Sequence, residues 1–300
     1  MEFFIQQLIN GITLGGVYAL IALGYTMVYG IIQLINFAHG EFFAAGGYMG
    51  VIFISWMAAQ GYHPYVCLAV SLVLAMIYCA LLAMAVERLA YRPLRQASRL
   101  AVLLSALGMS IFLQNGLMLT QGVYDKPYPT EITSGGLDFG LITISYMQML
   151  IVGLTAALLI GLNILVFKTR IGKAMRATAQ DKVMSALVGI NSNRIIALTF
   201  AIGAGLAAAA GIMVGLYYGS VNYSMGFVPG IKAFAAAVLG GIGNITGAMI
   251  GGLIIGMVEI FAAGYLSSEY KDVFAFIILI GVLYFKPTGI MGENVDDTRV

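Results

Sequence analysis

Charged residues are scarce in this chain of 300 residues, since Asp, Glu, Lys and Arg make up 9% of it and hydrophobic residues 61%. The mean hydropathy is +0.95. An ordinary soluble protein, with about 25% charged residues, is excluded. The composition indicates a polytopic membrane protein, and the net charge of +2 gives no reason to expect a nucleic acid as partner.

Cysteine and histidine are almost absent, with only Cys67, Cys79, His39 and His63 present. The cysteines lie 12 residues apart on one predicted helix. That spacing corresponds to about 18 Å, which is too far for a disulfide within the chain. Two histidines do not make a metal cluster. The sequence therefore predicts neither a metal site nor a bound cofactor.

The motifs of nucleotide-binding and hydrolytic enzymes are missing as well. The nearest match to a phosphate-binding loop, Gly172-Lys173-Ala174, lacks both the preceding glycine spacing and the hydroxyl residue. The sequence contains no Gly-x-Ser-x-Gly elbow and no HExxH pair. We therefore expect no enzymatic activity and no ATP binding of this kind, which leaves transport as the function.

Long apolar segments dominate the chain instead. They predict an all-α, polytopic membrane protein of about eight long transmembrane helices plus one re-entrant half-helix. Residues 1–300 form a single transmembrane domain in this prediction. The predicted spans are residues 8–32, 36–58, 66–86, 100–119, 146–167, 195–217, 248–263 and 271–285, with the half-helix at 231–240.

Glycine and alanine recur at four-residue intervals within several of these spans. Small residues at this spacing let two helices approach closely inside a membrane bundle. The pattern therefore predicts helix–helix contact faces. It comprises Gly11, Gly15 and Ala19, then Gly203, Ala207, Gly211, Gly215 and Gly219, and then Ala248, Gly252 and Gly256.

Basic residues are concentrated in two segments. Four arginines lie between Arg88 and Arg99, and residues 168–194 hold six of the chain's 15 Lys and Arg. Such loops normally face the cytoplasm, so both are predicted there. Residues 121–145 have an acidic balance, which predicts an outer loop. Residues 286–300 are predicted to be a short polar tail.

Residues 168–194 also show helical periodicity. Apolar residues recur on one side, namely Met175, Ala179, Val183, Ala186, Leu187 and Ile190. This spacing predicts a short amphipathic helix with one face to dock, ending at Gly189. Two interpretations stay open: the helix lies on lipid headgroups or on its own bundle, or it couples the chain to a cytoplasmic partner. The candidate coupling residues are Arg176, Ala179, Asp181, Val183, Ala186 and Gly189.

Polar residues at Asn36, His39 and Glu41 interrupt apolar sequence. One interpretation makes Asn36 the N-cap of a helix with Glu41 in its first turn. The other places these side chains along a transport pathway, because ionisable groups at membrane depth are costly and often functional.

The glycine-rich stretch from Gly240 to Gly247 breaks a predicted helix. The ten residues before it span only about 15 Å, half of a hydrocarbon core. A backbone break at membrane depth must be satisfied by protein or must line a cavity. A structural hairpin and a pathway-lining one stay open, with Gly240, Gly241, Gly243 and Asn244 as candidate pathway residues.

Five segments, in order along nearly the whole chain, resemble the permeases of branched-chain amino acid ABC transporters, most closely their LivH-type members. They are INFAHGEF (35–42), ERLAYRPLR (87–95), SALGMSIFLQN (105–115), ATAQD with ALVGIN (177–191) and KAFAAAVLGGIGNITGAMIGG (232–252). The general importer pattern Glu-Ala-Ala-x3-Gly is not met, since Val183 stands where its glycine would fall.

The resemblance implies a multi-pass protein of the bacterial inner membrane that moves Leu, Ile and Val. It also implies a second permease subunit as heterodimer partner, two ATP-binding subunits and a periplasmic substrate-binding protein. Residues 177–191 would face the ATP-binding subunits. The alternative function is an ion-coupled secondary transporter or channel, in which Glu41 and Glu259 are the coupling carboxylates. Dependence on ATP separates the two functions.

Overall fold

The computed structural model describes residues 2–33, 35–95, 97–129, 135–138 and 143–292. Within them, α-helices alternate with short connections and a few two- or three-residue strands. The helices are α1 (Glu2–Ile32), α2 (His39–Ala59), α3 (Pro64–Val86), α4 (Arg99–Gln121), α5 (Tyr146–Lys168), α6 (Arg170–Gln180), α7 (Lys182–Leu187), α8 (Ser192–Tyr218), α9 (Phe227–Gly240), α10 (Ile245–Tyr265) and α11 (Lys271–Phe285). A π-helical turn (Glu87–Tyr91) extends α3, and the strands are β1 (Lys126–Pro127), β2 (Gly136–Asp138), β3 (Thr143–Ser145) and β4 (Ser220–Val221).

Seven of the described helices are long and apolar enough to cross a membrane, which confirms the predicted all-α, polytopic class. Helix α11 has the predicted bounds, but its 15 residues extend only about 22 Å. The predicted half-helix corresponds to α9, which begins at Phe227 and has 14 residues. It starts four residues before the predicted position at residue 231.

Helix α1 lies at the centre of the bundle and packs along α8, α9 and α10. A Cβ atom built on Gly256 of α10 would lie 2.2 Å from the Cα atom of Gly15 in α1. A Cβ atom on Gly46 of α2 would lie equally close, 2.2 Å, to the Cα atom of Ala208 in α8. Gly15 and Gly256 therefore form a contact face, as predicted, and Gly46 and Ala208 form a further one, because small residues let the backbones approach closely.

The two basic segments lie at the same end of the bundle, called the basic end below. Arg95 forms an ion pair with Glu87 and donates a hydrogen bond to Asn193 Oδ1 at 2.6 Å. Partial burial lowers the pKa of Lys182, and the positive charge of Arg95 lowers it further. The basic loop after α3 and the segment before α8 are thus close neighbours.

The opposite end, called the strand end below, carries the antiparallel strand pairs β1–β4 and β2–β3. Strand β1 belongs to the predicted outer loop, and it pairs Lys126 with Val221. The acidic residue Glu131 of that loop and residues 293–300 of the predicted polar tail lie outside the described residues.

The two ends give a direct test of orientation. In a chain without Cys67 and Cys79, we expect Arg92→Cys and Lys173→Cys to react with an impermeant maleimide only from the cytoplasmic side. Asp125→Cys is expected to react only from outside. All three positions are exposed, and basic loops stay inside. Labelling of Arg92→Cys from outside in sealed cells would reject this topology.

Candidate functional site

The predicted coupling segment consists of two helices rather than one. Helices α6 and α7 meet at Asp181, whose backbone is extended. Its carboxylate accepts hydrogen bonds from the N–H groups of Val183 at 2.7 Å and Met184 at 3.0 Å. The prediction of one continuous amphipathic helix is therefore wrong, because an aspartate caps a new helix more readily than it continues an existing one.

Gly189 follows the end of α7 with φ = 87°. This left-handed backbone is common just past a helix end and costs glycine little. The expected end of the helical segment at Gly189 is confirmed.

The break at Asp181 divides the predicted docking face. On α6, Met175 is buried, Ala179 packs against the chain's own core, and the exposed Arg176 donates a hydrogen bond to the Val166 carbonyl. On α7, Ala186 is exposed, and large apolar side chains point outward. Their exposed fractions are 70% for Val183, 62% for Met184 and 75% for Leu187, and Val188, just past the end of α7, is 76% exposed. Within this segment, α7 is therefore the part that is available to a partner.

A cavity of about 190 Å³ separates α6 from the helix break after α9. Met175, Arg176 and Ala179 line it from α6, and Gly243 and Ile245 line it from the other side. The cavity connects the candidate coupling segment with one candidate pathway residue, Gly243.

The break between α9 and α10 has its backbone groups well satisfied. The carbonyls of Leu239 and Gly240 accept hydrogen bonds from the N–H groups of Ile290 at 2.8 Å and Met291 at 2.9 Å. Asn244 caps α10 by accepting a hydrogen bond from the Gly247 N–H at 2.9 Å. These contacts support the interpretation as a structural hairpin.

The break also has a defined position along the bundle. A Cβ atom built on Gly30 would lie 3.7 Å from the Cα atom of Gly243, and α1 ends at Ile32. The break therefore lies beside the last turn of α1, towards the basic end. Gly241 and Gly243 have positive φ angles of 107° and 96°, which the tight turn there requires.

Asn36, His39 and Glu41 are all buried where α2 begins. Asn36 is not the N-cap, because Ala38 occupies that position. Its Oδ1 atom instead accepts hydrogen bonds from the Ala38 N–H at 3.1 Å and the Tyr91 hydroxyl at 2.6 Å. The prediction that Asn36 caps α2 is therefore wrong.

Glu41 does lie in the first turn of α2, and its Oε1 atom accepts a hydrogen bond from Ser110 of α4 at 3.1 Å. The ring of His39 packs edge-on against that of Tyr25, with centroids 4.6 Å apart. Both side chains thus connect α2 to neighbouring helices.

The structure reveals a charged group that the sequence interpretation largely missed, called the ionic cluster below. It contains Tyr18, Lys232, Glu259, Lys271 and Asp272. Lys232 Nζ lies 2.8 Å from Glu259 Oε2 and 2.5 Å from Asp272 Oδ1. The Tyr18 hydroxyl donates a hydrogen bond to Glu259 Oε2 at 2.7 Å.

Only Glu259 of this cluster was singled out from the sequence. A usable indication was present, since Lys232 is the only Lys or Arg between Arg194 and Lys271. An isolated charge in apolar sequence points to a buried partner. The partner itself was not predictable, because the cluster joins α1, α9, α10 and α11 across the fold.

A cavity of about 330 Å³ adjoins the ionic cluster. Ser220, Asn222 and Ser224 line it from the strand end. The side chains of Lys271 and Asp272 are 38% and 41% exposed, whereas those of Lys232 and Glu259 are 3% exposed. A positive and a negative group are thus accessible side by side above a buried ion pair.

The long apolar helices, the close glycine contacts and the polar cavity between helices define a multi-pass membrane protein. A family model described as branched-chain amino acid transport system / permease component matches residues 7–283. The chain therefore belongs to this family of permease components.

Curated relatives agree with this assignment. The high-affinity branched-chain amino acid transport system permease protein BraD of Pseudomonas aeruginosa is 51% identical, over 97% of this chain and 96% of that protein. The permease protein LivH of the corresponding Salmonella typhimurium system is 48% identical, with the same coverage of 97% and 96%. A probable branched-chain amino acid permease of Methanocaldococcus jannaschii is 29% identical, over 92% of this chain and 88% of that protein.

Proposed function

We propose that this chain is the membrane-spanning permease subunit of an ATP-driven importer of leucine, isoleucine and valine in the bacterial inner membrane. The single observation that carries the proposal is the 51% identity over 97% of the chain to a permease of a branched-chain amino acid transport system. The proposed partners are a second permease subunit, two ATP-binding subunits and a periplasmic substrate-binding protein.

Helix α7 is the proposed contact with an ATP-binding subunit. Its exposed Val183, Met184 and Leu187 form an apolar surface at the basic end. A short helix with apolar anchors fits a groove on a folded partner. Asp181 and Gly189 set the start and the end of α7, so both contribute to its orientation.

Movement of α7 has a physical route into the bundle. Helix α6 leads directly into α7 and lines the cavity of about 190 Å³ that Gly243 also lines. Because packed elements shift between discrete arrangements rather than deform continuously, displacement of α6 would narrow or widen this cavity beside the α9–α10 hairpin. In this proposal, ATP-driven movement of a partner reaches the hairpin at Gly243.

ATP dependence tests the function directly. Proteoliposomes that contain the purified complete complex are expected to take up leucine only with ATP, and to keep this uptake when a protonophore collapses the proton gradient. The purified chain alone is expected neither to hydrolyse ATP nor to transport, since its sequence lacks a phosphate-binding loop.

The opposite pattern would replace this proposal. Uptake that survives without any ATP-binding subunit, and that stops when the proton gradient collapses, indicates a secondary transporter. Glu41 or Glu259 would then be the coupling carboxylate, and Glu41→Gln and Glu259→Gln would identify which of them is required.

A further inference from the structure

We propose that the cavity above the ionic cluster binds the charged backbone end of one free aliphatic amino acid, with Lys271 on its carboxylate and Asp272 on its ammonium group. This inference rests on the proposed function and adds the location and chemistry of a binding site. The site lies towards the strand end of the bundle, on the opposite side from α7.

The two exposed charges of the cluster, one positive and one negative, match the two charges of a zwitterion. Two lysines, Lys232 and Lys271, stand against Glu259 and Asp272. Lys232 and Glu259 already satisfy each other at 2.8 Å and are almost fully buried. Lys271 and Asp272 contact this buried pair but are themselves partly exposed, so they present one charge of each sign to a ligand that carries both charges.

The contacts of the exposed pair leave room for a ligand. Lys271 Nζ lies 3.6 Å from Glu259 Oε1, which is longer than a good charge-assisted hydrogen bond of about 2.8 Å. A ligand carboxylate can therefore approach the Lys271 ammonium group more closely than Glu259 does. Asp272 contacts Lys232, but a carboxylate offers about four acceptor positions, so it can bind a ligand ammonium group at the same time.

The lining also fits an aliphatic side chain. The volume of about 330 Å³ is at the small end of the range of about 300–1,000 Å³ for ligand pockets. Beside the charged residues, the cavity wall contains Leu14, Val214, Met225, Val228 and Pro229. An amino acid with a branched hydrocarbon side chain places its charged end at the cluster and its side chain against this wall.

A purely structural role of the cluster does not account for this arrangement. The attraction between two opposite charges is stronger where both are shielded from water. Here Lys232 and Glu259 are shielded, whereas Lys271 and Asp272 open onto a cavity that further polar side chains line. The exposed half of the cluster is therefore the half that meets a ligand.

The test compares leucine with two analogues that each lack one charge. Binding to the purified complete complex in nanodiscs, without nucleotide, is measured by saturation-transfer NMR titration. The analogues are 4-methylpentanoate, which lacks the ammonium group, and 3-methylbutylamine, which lacks the carboxylate. For Asp272→Asn we expect leucine to bind roughly tenfold more weakly and 4-methylpentanoate to bind as in the wild type. For Lys271→Gln we expect the same loss for leucine and no change for 3-methylbutylamine.

Glu269→Gln is the matched control, since it removes an exposed charge three residues from Asp272, and it should bind all three ligands normally. Asp272→Glu should restore most of the leucine affinity. Wild-type affinity for leucine in both Asp272→Asn and Lys271→Gln overturns the site. Equal weakening of all three ligands overturns it too, because that pattern reports general damage to the bundle. Either result rejects only the binding site if the wild-type complex still takes up leucine with ATP. If the wild-type complex shows no ATP-driven leucine uptake, the proposed function itself is wrong.

Discussion

A Gly256→Val chain is expected to be about 3 kcal/mol less stable than the wild type. A Cβ atom at this position would lie 2.2 Å from Gly15 Cα and 2.3 Å from Gly15 N. Both are backbone atoms of α1, so no side chain can rotate to relieve the overlap. The helices α1 and α10 must move apart, and van der Waals contact along the centre of the bundle is lost. Thermal unfolding of the purified protein in detergent measures the effect.

Gly161→Val provides the matched control within α5. A Cβ atom there would meet no atom within 4 Å, so only the small helix propensity difference between glycine and valine remains. Its unfolding temperature is expected to stay close to that of the wild type. An unchanged unfolding temperature of Gly256→Val would contradict the close contact between α1 and α10.

The features that were predicted correctly from the sequence are those that depend on local patterns along the chain. Hydrophobic length placed the long helices, and the four-residue glycine spacing at Gly15 and Gly256 identified faces that do meet in the bundle. The positive φ angle at Gly189 was predictable for the same reason, because the end of a short helix is a local property.

The sequence failed to predict two kinds of feature: those where two local tendencies of the chain compete, and those that depend on contacts between distant residues. At Asp181, helical periodicity competed with capping, and the carboxylate favoured capping because it satisfies two N–H groups of α7. One interpretation made Asn36 a helix cap, but its oxygen accepts a hydrogen bond from the hydroxyl of Tyr91, which is 55 residues away in the chain. No local pattern specifies such a contact.

The ionic cluster at the candidate binding site likewise depends on tertiary contacts that no local sequence pattern specifies. Lys232, Glu259 and Asp272 lie on three different helices, and only the fold brings their charges within ion-pair distance. The sequence singled out only Glu259 as a rare charge in apolar sequence, and it gave no pairing for that carboxylate. A single buried carboxylate suggests proton coupling, whereas a paired one next to a polar cavity suggests ligand binding.

An Ala186→Arg chain is expected to be inserted at near-normal levels and yet to lose at least about nine-tenths of leucine uptake, together with copurification of the ATP-binding subunits. Ala186 is exposed on α7, so the bundle itself tolerates the larger side chain. A charged group placed among the exposed Val183 and Leu187 would have to be buried without a partner in the proposed groove, which costs several kcal/mol. Ala97→Arg is the matched control, because Ala97 is also exposed and lies in the other basic segment.

Two further variants at Gly189 separate orientation from surface chemistry. Gly189 has φ = 87° and open space around it, so Gly189→Val strains the backbone without a clash, whereas Gly189→Asn adopts this conformation readily. We expect the valine variant to lose coupling and the asparagine variant to keep it. A helix that only rests on lipid would behave differently, because an added arginine strengthens binding to anionic headgroups. Normal uptake by the Ala186→Arg protein would therefore reject the contact with an ATP-binding subunit and leave residues 168–194 as a determinant of topology.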